Sequence, residues 1–263
     1  MRILVTNDDG INAPGLKVAE GIAADIAGPD GEVWVIAPAL EQSAVSHSIS
    51  YVRPMRLDQM EDRRYLIEGT PADCVLAAMG ELMKDAPPDL ILSGVNRGHN
   101  VAEDTVYSGT VGAAMEGAMH GVRSIALSQY YGPKNRGLED TFEAARANGT
   151  AIVRKLIDSA PWHDSHYEVF YNVNFPPLPA AAVKGLKVTF QGNRAGPSFG
   201  VQPQQAPNMR RYLWLTHGSG NQTTQDGSDA MEAFKGHITV TPLRADLTAY
   251  NLLDGLKGTL DAL

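Results

Sequence analysis

The first 38 residues carry the pattern that most constrains the fold. An apolar run with β-branched residues, Ile3-Leu4-Val5, ends in the turn-forming cluster Asn7-Asp8-Asp9-Gly10 and so indicates a buried strand. Apolar residues then recur at helical spacing between Leu16 and Ile26, and a second buried strand follows at residues 33–37. Strand, helix and strand in so short a span form a βαβ unit, which predicts a parallel sheet with a right-handed crossover.

Helical and strand patterns keep alternating along the chain, which is typical of an α/β fold. Short apolar runs between turn residues predict strands at residues 89–94, 124–128, 168–175, 186–190 and 238–242. Apolar periodicity and start signals predict helices from Thr70-Pro71, from Ser108 and at residues 139–159, 229–234 and 246–263, while residues 50–68 suggest an irregular β excursion. We therefore predict an α/β core with helices flanking a parallel sheet.

The amino-acid composition of the chain changes between residues 191 and 229. Gly, Pro, Gln and Asn dominate there, around the apolar run Tyr212-Leu213-Trp214-Leu215. Such a segment predicts an extended arm or hairpin that cannot bury a core of its own, and we expect it to pack on a partner subunit. We divide the chain into a catalytic core at residues 1–190, the arm at 191–229, and a C-terminal strand and helix at 230–263.

Composition excludes several classes of function. A formal net charge of −8 and a pI near 5.3, without any basic run, argue against binding to a nucleic-acid duplex. The single cysteine, Cys74, excludes an internal disulfide and a multi-cysteine zinc site. No apolar stretch approaches the ~20 residues that span a bilayer, and Met1 leads straight into the first predicted strand. We expect a cytoplasmic protein that does not bind membranes.

Polar residues gather at the ends of the predicted strands. Because the carboxyl ends of parallel strands share one edge of the sheet, where ligands bind, we expect these residues to lie close together. They are Asp8 and Asp9, Ser43, Asn96 and Asn100, and the helix start Ser108-Gly109-Thr110. Each alone is also explained by a solvated turn, a polar loop or an N-cap. Their convergence on one edge favours a functional site.

The residue types at this edge indicate a hard cation beside a phosphate. Carboxylate, hydroxyl and amide oxygens suit Mg²⁺, Mn²⁺ or Ca²⁺ rather than zinc or copper. A glycine-containing helix start presents backbone N–H groups and a positive dipole end to an anion. The histidines do not show the HExxH spacing of a zinc protease.

Motifs along most of the chain resemble those of the SurE family (survival protein E, a nucleotidase). The resemblance rests on Val5–Gly15, Ala37-Pro38 with Gln42-Ser43, Gly69–Cys74, Ser93–Gly98, Tyr107–Val111, Asn174-Phe175-Pro176 and Thr239–Leu243. It implies a divalent-metal-dependent phosphatase that acts on nucleoside 5′- and 3′-monophosphates. It also implies a Rossmann-like core, a protruding β-hairpin arm, and homodimers or homotetramers with exchanged C-terminal elements.

The same resemblance assigns roles to individual residues. It implies one divalent cation per subunit, Mg²⁺ or Mn²⁺ with Ca²⁺ as an alternative, held by Asp8, Asp9, Ser43 and Asn96. It places Asn100, Ser108, Gly109 and Thr110 around the phosphate. Our own hypothesis adds that the two aspartates are catalytic, and that Asp9 rather than Asp8 accepts a proton from the attacking water.

The sequence shows two departures from the family pattern and is compatible with three rival functions. Ala39 stands where the family often has Asp, and Ala44 where it often has Gly, which bears on rate or substrate range. A nucleotide-binding sensor with little turnover is one rival. The second is a phosphatase that forms an aspartyl phosphate, although that class typically needs Asp-x-Asp spacing. A dinucleotide oxidoreductase is weaker, because no G-x-G-x-x-G follows the first strand.

Overall fold

The computed structural model describes residues 1–164, 166–194, 199–217 and 224–260. Its strands are β1 Arg2–Thr6, β2 Glu32–Pro38, β3 Leu57–Glu61, β4 Arg64–Ile67, β5 Leu90–Arg97, β6 Arg123–Gln129, β7 His163–Asp164, β8 Tyr167–Glu168, β9 Phe170–Phe175, β10 Leu186–Val188, β11 Phe199–Gln205, β12 Arg211–His217 and β13 Ile238–Leu243. Its helices are α1 Pro14–Ala27, α2 Pro71–Ala77, α3 Asp104–Tyr107, α4 Gly109–Met119, α5 Glu143–Ser159, α6 Asp229–Lys235 and α7 Leu253–Leu260. A π-helical turn, Ala78–Leu82, extends α2, and short 3₁₀ turns form at Ala180–Ala182 and Tyr250–Leu252.

The central sheet confirms the predicted α/β class. Within the described residues it has nine strands in the order β10-β13-β9-β6-β5-β1-β2-β4-β3. The strands from β4 to β9 in this order run parallel, whereas β3 pairs antiparallel with β4, and β13 antiparallel with β9. The sheet is therefore mixed but mostly parallel, in agreement with the predicted parallel-sheet core, and its antiparallel pairs lie near its two ends. β1 lies between β2 and β5, so its carboxyl end faces the crevice where ligands bind in such sheets.

Helices cover both faces of the sheet, and the side chains of β1 alternate between the two layers. Ile3 and Val5 pack into one apolar cluster with residues of α1 and α5. Leu4, between them, packs into a second cluster with residues of α2 and α4, including the fully buried Cys74. This period of two explains why the first strand is apolar at every position from 3 to 5.

Side chains at the helix starts agree with the sequence signals. At α2, Thr70 Oγ1 accepts a hydrogen bond from Asp73 N at 3.2 Å, and Asp73 Oδ2 accepts one from Thr70 N at 2.8 Å, with Pro71 in the first turn. This reciprocal pair is a capping box. The prediction of an N-cap at Thr70 is confirmed.

Two predicted helices begin later than the apolar pattern indicated. α5 begins at Glu143 instead of residue 139, after a turn in which Phe142 N donates to Asp140 Oδ1. α7 begins at Leu253 instead of residue 246, because Asp246 Oδ1 accepts from Thr248 N and holds a local turn. Residues 261–263, which the prediction included in the last helix, lie outside the described residues.

The predicted arm contains an antiparallel hairpin of β11 and β12. Val201, Leu213, Trp214 and Leu215 of this hairpin are all exposed. The predicted C-terminal segment, in contrast, contributes β13 to the central sheet, between β10 and β9. Among the described residues, no helix is long and apolar enough to cross a membrane.

Candidate active site

A cleft of ≈ 570 Å³ opens at the carboxyl ends of β1, β2 and β5. Six of the eight predicted site residues line it: Asp8, Asp9, Ser43, Asn96, Asn100 and Ser108. The other two, Gly109 and Thr110, lie in the first turn of α4 directly behind Asp8. The order β2-β1-β5 explains the convergence, because it puts the loops after these strands side by side.

Asp8 is buried and held from behind by the first turn of α4. Thr110 Oγ1 donates to Asp8 Oδ1 at 2.6 Å, and Thr110 N donates to Asp8 Oδ2 at 3.2 Å. Burial, and to a smaller extent the charge of Asp9, raise the pKa of Asp8 to about 7 against the opposing effect of the hydrogen bonds from Thr110. The carboxylate is thus fixed in place in surroundings that disfavour an uncompensated negative charge.

Asp9 is half-buried and points to the neighbouring strand. Its Oδ2 accepts a hydrogen bond from Arg97 N, at the end of β5, at 2.9 Å. Burial raises the pKa of Asp9, and the bond from the Arg97 backbone and the Arg97 charge partly oppose that. Oδ1 has no hydrogen bond within the described part of the chain, so one carboxylate oxygen of Asp9 stays available.

The approach of α4 to the aspartates depends on glycine. A Cβ at Gly109 would lie 3.0 Å from Asp8 Cβ and 3.1 Å from Pro71 Cγ. A Cβ at Gly112, one turn on, would lie 2.6 Å from Ser46 O. Larger residues at these two positions would push the helix away from Asp8 and from the loop after β2. This packing accounts for the small residues of the helix.

The loop after β2 brings Ser43 to the cleft. Ser43 is exposed, and its Oγ donates to Glu41 Oε1 at 2.6 Å. Gln42 N donates to Asp8 O at 2.7 Å, and Ser46 N donates to Tyr107 O at 2.9 Å, so the loop is tied both to the first aspartate and to α3. Ala44, beside Ser43, has φ +57°, a left-handed conformation that favours glycine.

A break in the β5–β6 ladder directs Asn96 to the cleft. The register shifts between Ser93 and Asn96, and Gly94 has φ +135°. A Cβ at Gly94 would lie 2.2 Å from Leu127 O, so only glycine fits there. Asn96 Nδ2 donates to Gly98 O at 3.2 Å. Because the amide nitrogen makes this bond, Oδ1 is the side-chain atom of Asn96 that is left as an acceptor.

Asn100 is fixed by buried polar side chains that the sequence reasoning did not assign to the site. Asn100 N donates to Asn174 Oδ1 at 2.8 Å, Asn172 Nδ2 donates to Asn100 O at 2.7 Å, and Asn100 Nδ2 donates to Ser128 Oγ at 2.8 Å. Asn172 and Asn174 lie two residues apart on β9 and so share a face of the sheet. The sequence signal that would have identified them is two polar residues at this spacing in an otherwise apolar strand.

The hydrogen bonds at the start of α4 assign different roles to Ser108, Gly109 and Thr110. Ser108 Oγ accepts from Val111 N at 3.1 Å, so the alternative of a plain N-cap holds for Ser108. Thr110 N is committed to Asp8. Within the described residues, the N–H of Gly109 has no partner, and it is the one in this first turn that stays open to an anion.

Eight further residues line the cleft that sequence reasoning missed. They are Glu41, Arg97, Gly98, His99, Asp104, Tyr131, Arg136 and Phe199, together with Tyr107 from the motif before α4. Tyr107 and Phe199 meet edge to face with ring centroids 4.9 Å apart, and Arg136 lies over the Tyr131 ring at 5.0 Å. Phe199 is the first residue of β11, so the arm contributes to the wall of the cleft. Glu41 and the run Arg97-Gly98-His99 lie next to predicted site residues in the sequence, whereas no local pattern connects Asp104, Tyr131, Arg136 and Phe199 with the site.

Comparison with known proteins gives a consistent set of relatives. The family described as "Survival protein SurE" matches residues 3–197. A protein of Cereibacter sphaeroides (strain ATCC 17025 / ATH 2.4.3) named 5'-nucleotidase SurE is 56% identical over 260 residues, which cover 99% of this chain and 100% of that protein. A protein of the same name from Ruegeria sp. (strain TM1040) is 58% identical over 257 residues, covering 98% and 99%. The crystal structure of SurE protein from Aquifex aeolicus superposes with a TM-score of 0.79 at 32% identity, covering 98% of this chain and 99% of that one.

Proposed function

This chain belongs to the SurE family and is a 5′-nucleotidase, and we propose that it hydrolyses nucleoside 5′- and 3′-monophosphates with the help of one divalent cation per subunit. The observation that carries the proposal is the meeting of Asp8, Asp9, Ser43 and Asn96 in one cleft with the start of α4. These four side chains come from the ends of three adjacent strands. In this proposal they hold the cation, and Gly109 N–H and Asn100 bind the phosphate beside it.

The residues present fit a hard cation. Asp8 and Asp9 are adjacent carboxylates, both with a raised pKa, and neither forms an ion pair within the described residues. Buried carboxylates without a counter-charge are unfavourable, so a cation between them would stabilise both. Asp8, Asp9, Ser43 and the free Oδ1 of Asn96 would hold it, an oxygen-only set suited to Mg²⁺ or Mn²⁺, with Ca²⁺ as an alternative. When bound, the cation would activate water and polarise the phosphoryl group.

The protein's own groups then divide the work of hydrolysis. Thr110 orients Asp8, and Asp9 Oδ1 is free to accept the proton of the attacking water as its oxygen bonds to phosphorus. The phosphorus–oxygen ester bond breaks, and the nucleoside leaves and takes up a proton from solvent. Gly109 N–H and the second amide hydrogen of Asn100 would stabilise the charge on the phosphoryl oxygens.

The contacts of Asp8 argue against the aspartyl-phosphate alternative. Both of its oxygens accept hydrogen bonds from Thr110, and these bonds make the carboxylate a weaker nucleophile. The sensor alternative predicts nucleotide binding without release of phosphate. It therefore remains an outcome of the experiment.

The test is release of phosphate from nucleoside 5′- and 3′-monophosphates with Mn²⁺ or Mg²⁺, against the same reaction in EDTA. Asp9→Asn should keep the fold and lose most of the metal-dependent release, while Asp85→Asn, an exposed aspartate away from the cleft, serves as the matched control. Equal release in EDTA would reject the metal, and near-normal turnover in Asp9→Asn would reject the role of that residue. A trapped phosphoaspartate at Asp8 would select the covalent alternative.

We also propose a homodimer or homotetramer in which the arm packs on a partner subunit. The exposed apolar side chains of the hairpin, Val201, Leu213 and Leu215, support it, since patches of this kind mark interfaces. Leu252, Leu256 and Leu260 near the C-terminus are equally exposed and are candidates for exchange between subunits. Deletion of the arm should yield monomers on a sizing column, and an unchanged elution volume would reject the idea. The single cysteine supports our proposal of a cytoplasmic location.

A further inference from the structure

We propose that Arg97 is a further catalytic residue, whose guanidinium group binds the phosphoryl oxygens and stabilises the charge that develops on them during hydrolysis. Arg97 lines the same cleft as Asp8 and Asp9. The inference rests on the proposed phosphatase function. It adds a charged donor to the two neutral ones, Gly109 N–H and Asn100, that the proposed function already uses.

The backbone of Arg97 is fixed beside the proposed cation position. Arg97 is the last residue of β5, and its N–H donates to Asp9 Oδ2 at 2.9 Å. The next residue, Gly98, donates its N–H to Gln129 O of β6 at 3.0 Å. The chain is therefore held immediately before and after the Arg97 side chain, so the origin of that side chain is set before any substrate arrives. Such preorganisation favours electrostatic catalysis.

The guanidinium group of Arg97 is not used to hold the fold together. Within the described residues it forms neither an ion pair nor a side-chain hydrogen bond, and the side chain is exposed where it lines the cleft. Burial raises the pKa of Asp9, and the positive charge of Arg97 opposes that rise. The guanidinium group thus acts on a proposed cation ligand, while its N–H donors are available to a bound phosphate.

The second arginine of the cleft has different surroundings. Arg136 lies over the ring of Tyr131, with the guanidinium carbon 5.0 Å from the ring centroid. Its charge does not affect the pKa of Asp8 or Asp9, whereas that of Arg97 affects Asp9. Arg97 is therefore the arginine that we assign to the phosphoryl group.

The charges at the proposed phosphate position call for a cationic side chain. Asp8 and Asp9 carry one negative charge each when ionised, and a divalent cation would balance only these two. A phosphate monoester adds about two more negative charges, and neither Gly109 N–H nor the amide of Asn100 is charged. Catalysis of phosphoryl transfer depends on positioning and on stabilising the charge spread over the equatorial oxygens. A planar guanidinium group can donate two parallel hydrogen bonds to such oxygens.

The test measures kcat and KM for adenosine 5′-monophosphate with Mn²⁺ in wild type, Arg97→Ala and Arg97→Lys. Loss of a donor that stabilises the transition state should lower kcat by about 100- to 1,000-fold in Arg97→Ala. Lysine keeps the charge without the paired geometry, so it should restore part of the loss. Arg123→Ala is the control, because Arg123 begins β6 at the edge of the sheet opposite the cleft, and it should leave both constants unchanged.

Added methylguanidinium separates a catalytic role of the side chain from a structural one. It should restore part of the kcat that Arg97→Ala loses and none of that lost in Asp9→Asn, because it can replace only a missing guanidinium group. Both Arg97 variants keep the backbone bond to Asp9, which needs no side chain. A loss confined to KM, the absence of rescue, or a larger loss of kcat in Arg136→Ala would each overturn the assignment.

Calorimetric binding of orthovanadate with Mn²⁺ is the second measurement, because it needs no turnover. Vanadate can take up a five-coordinate geometry that resembles the transition state, so it reports the interactions made there. It should bind wild type and lose affinity in Arg97→Ala by about the same factor as kcat. Undiminished binding in that variant, or no binding to wild type, would overturn the role of Arg97. Absence of metal-dependent phosphate release in wild type would instead overturn the proposed function, and the vanadate titration would still decide on Arg97.

Discussion

Thr110 holds both carboxylate oxygens of Asp8, one through its hydroxyl and one through its backbone N–H, at 2.6 and 3.2 Å. These two residues come from different elements, the turn after β1 and the first turn of α4. The contact makes the helix start a support for the proposed cation ligand. It also explains why Thr110 is completely buried instead of facing the cleft.

Thr110→Val should therefore weaken metal-dependent hydrolysis while keeping the volume of the side chain. Loss of a partner that orients a metal ligand typically costs about 10- to 100-fold in metal affinity or activity. We expect a loss of this size in kcat/KM, accompanied by a higher Mn²⁺ requirement. Thr150→Val is the control, because Thr150 Oγ1 makes a similar bond to Asp25 at 2.9 Å on the surface of α5. Equal effects of the two substitutions would contradict the role of Thr110.

Ala44→Gly should stabilise the protein. Ala44 has φ +57°, a conformation that costs a residue with a Cβ roughly 1–2 kcal/mol. Glycine removes this cost, but its greater freedom in the unfolded chain offsets part of the gain in stability. We expect the free energy of unfolding in urea to rise by about 1 kcal/mol. Ala39→Gly, at the other departure from the family pattern and without a positive φ, should not raise it. A lower stability of Ala44→Gly would show that the left-handed conformation carries no strain.

The hydrogen bond between His47 and Glu116 should make stability depend on pH. Their Nε2 and Oε2 atoms lie 2.5 Å apart and join the loop that carries Ser43 to α4. The hydrogen bond from His47 lowers the pKa of Glu116, so this contribution is present above the unfolded-state pKa of the carboxyl and is lost as pH falls through its folded-state pKa. Glu116→Gln should cost about 1–2 kcal/mol near neutral pH and little in acid. Unfolding in urea at several pH values measures this, with Glu81→Gln, an exposed glutamate, as control. A constant difference across pH would refute the assignment.

Asn174→Ala should lower both stability and activity. The substitution removes the bond from Asn100 N to Asn174 Oδ1 and the one from Asn174 Nδ2 to Asn100 O, and leaves buried groups of Asn100 without those partners. A buried polar group that loses its partner costs about 1–3 kcal/mol, so we expect a loss of about 2 kcal/mol on thermal unfolding. Asn148→Ala, which removes a half-buried bond to Ala144 O within α5, should cost less and leave kcat/KM unaffected. Full activity of Asn174→Ala would show that Asn100 needs no support.

Much of the site follows from the sequence because it depends on strand ends. Asp8, Asp9 and Ser43 follow buried strands and Asn96 lies near the end of one, and any parallel arrangement of those strands brings their ends to one edge. The residues that sequence reasoning missed, such as Phe199 and Arg136, lie on an arm and a loop whose positions no local periodicity encodes. Ser108 and Thr110 were found, but their partners were not, since a helix start that binds an anion and one that caps itself have the same sequence signature.

By itself, the sequence determined the type and order of most elements, the alternation of Ile3, Leu4 and Val5 into two apolar layers, and the grouping of oxygen-bearing side chains near the strand ends. Those properties depend on neighbours along the chain, which the period of the apolar residues reports directly. Only the tertiary structure decided that Thr110 holds Asp8, that Phe199 meets Tyr107, and that β13 enters the sheet antiparallel to β9. Contacts between residues so far apart in sequence depend on the packing of the whole chain, because it is the common burial of all the strands and helices that fixes the order of the sheet.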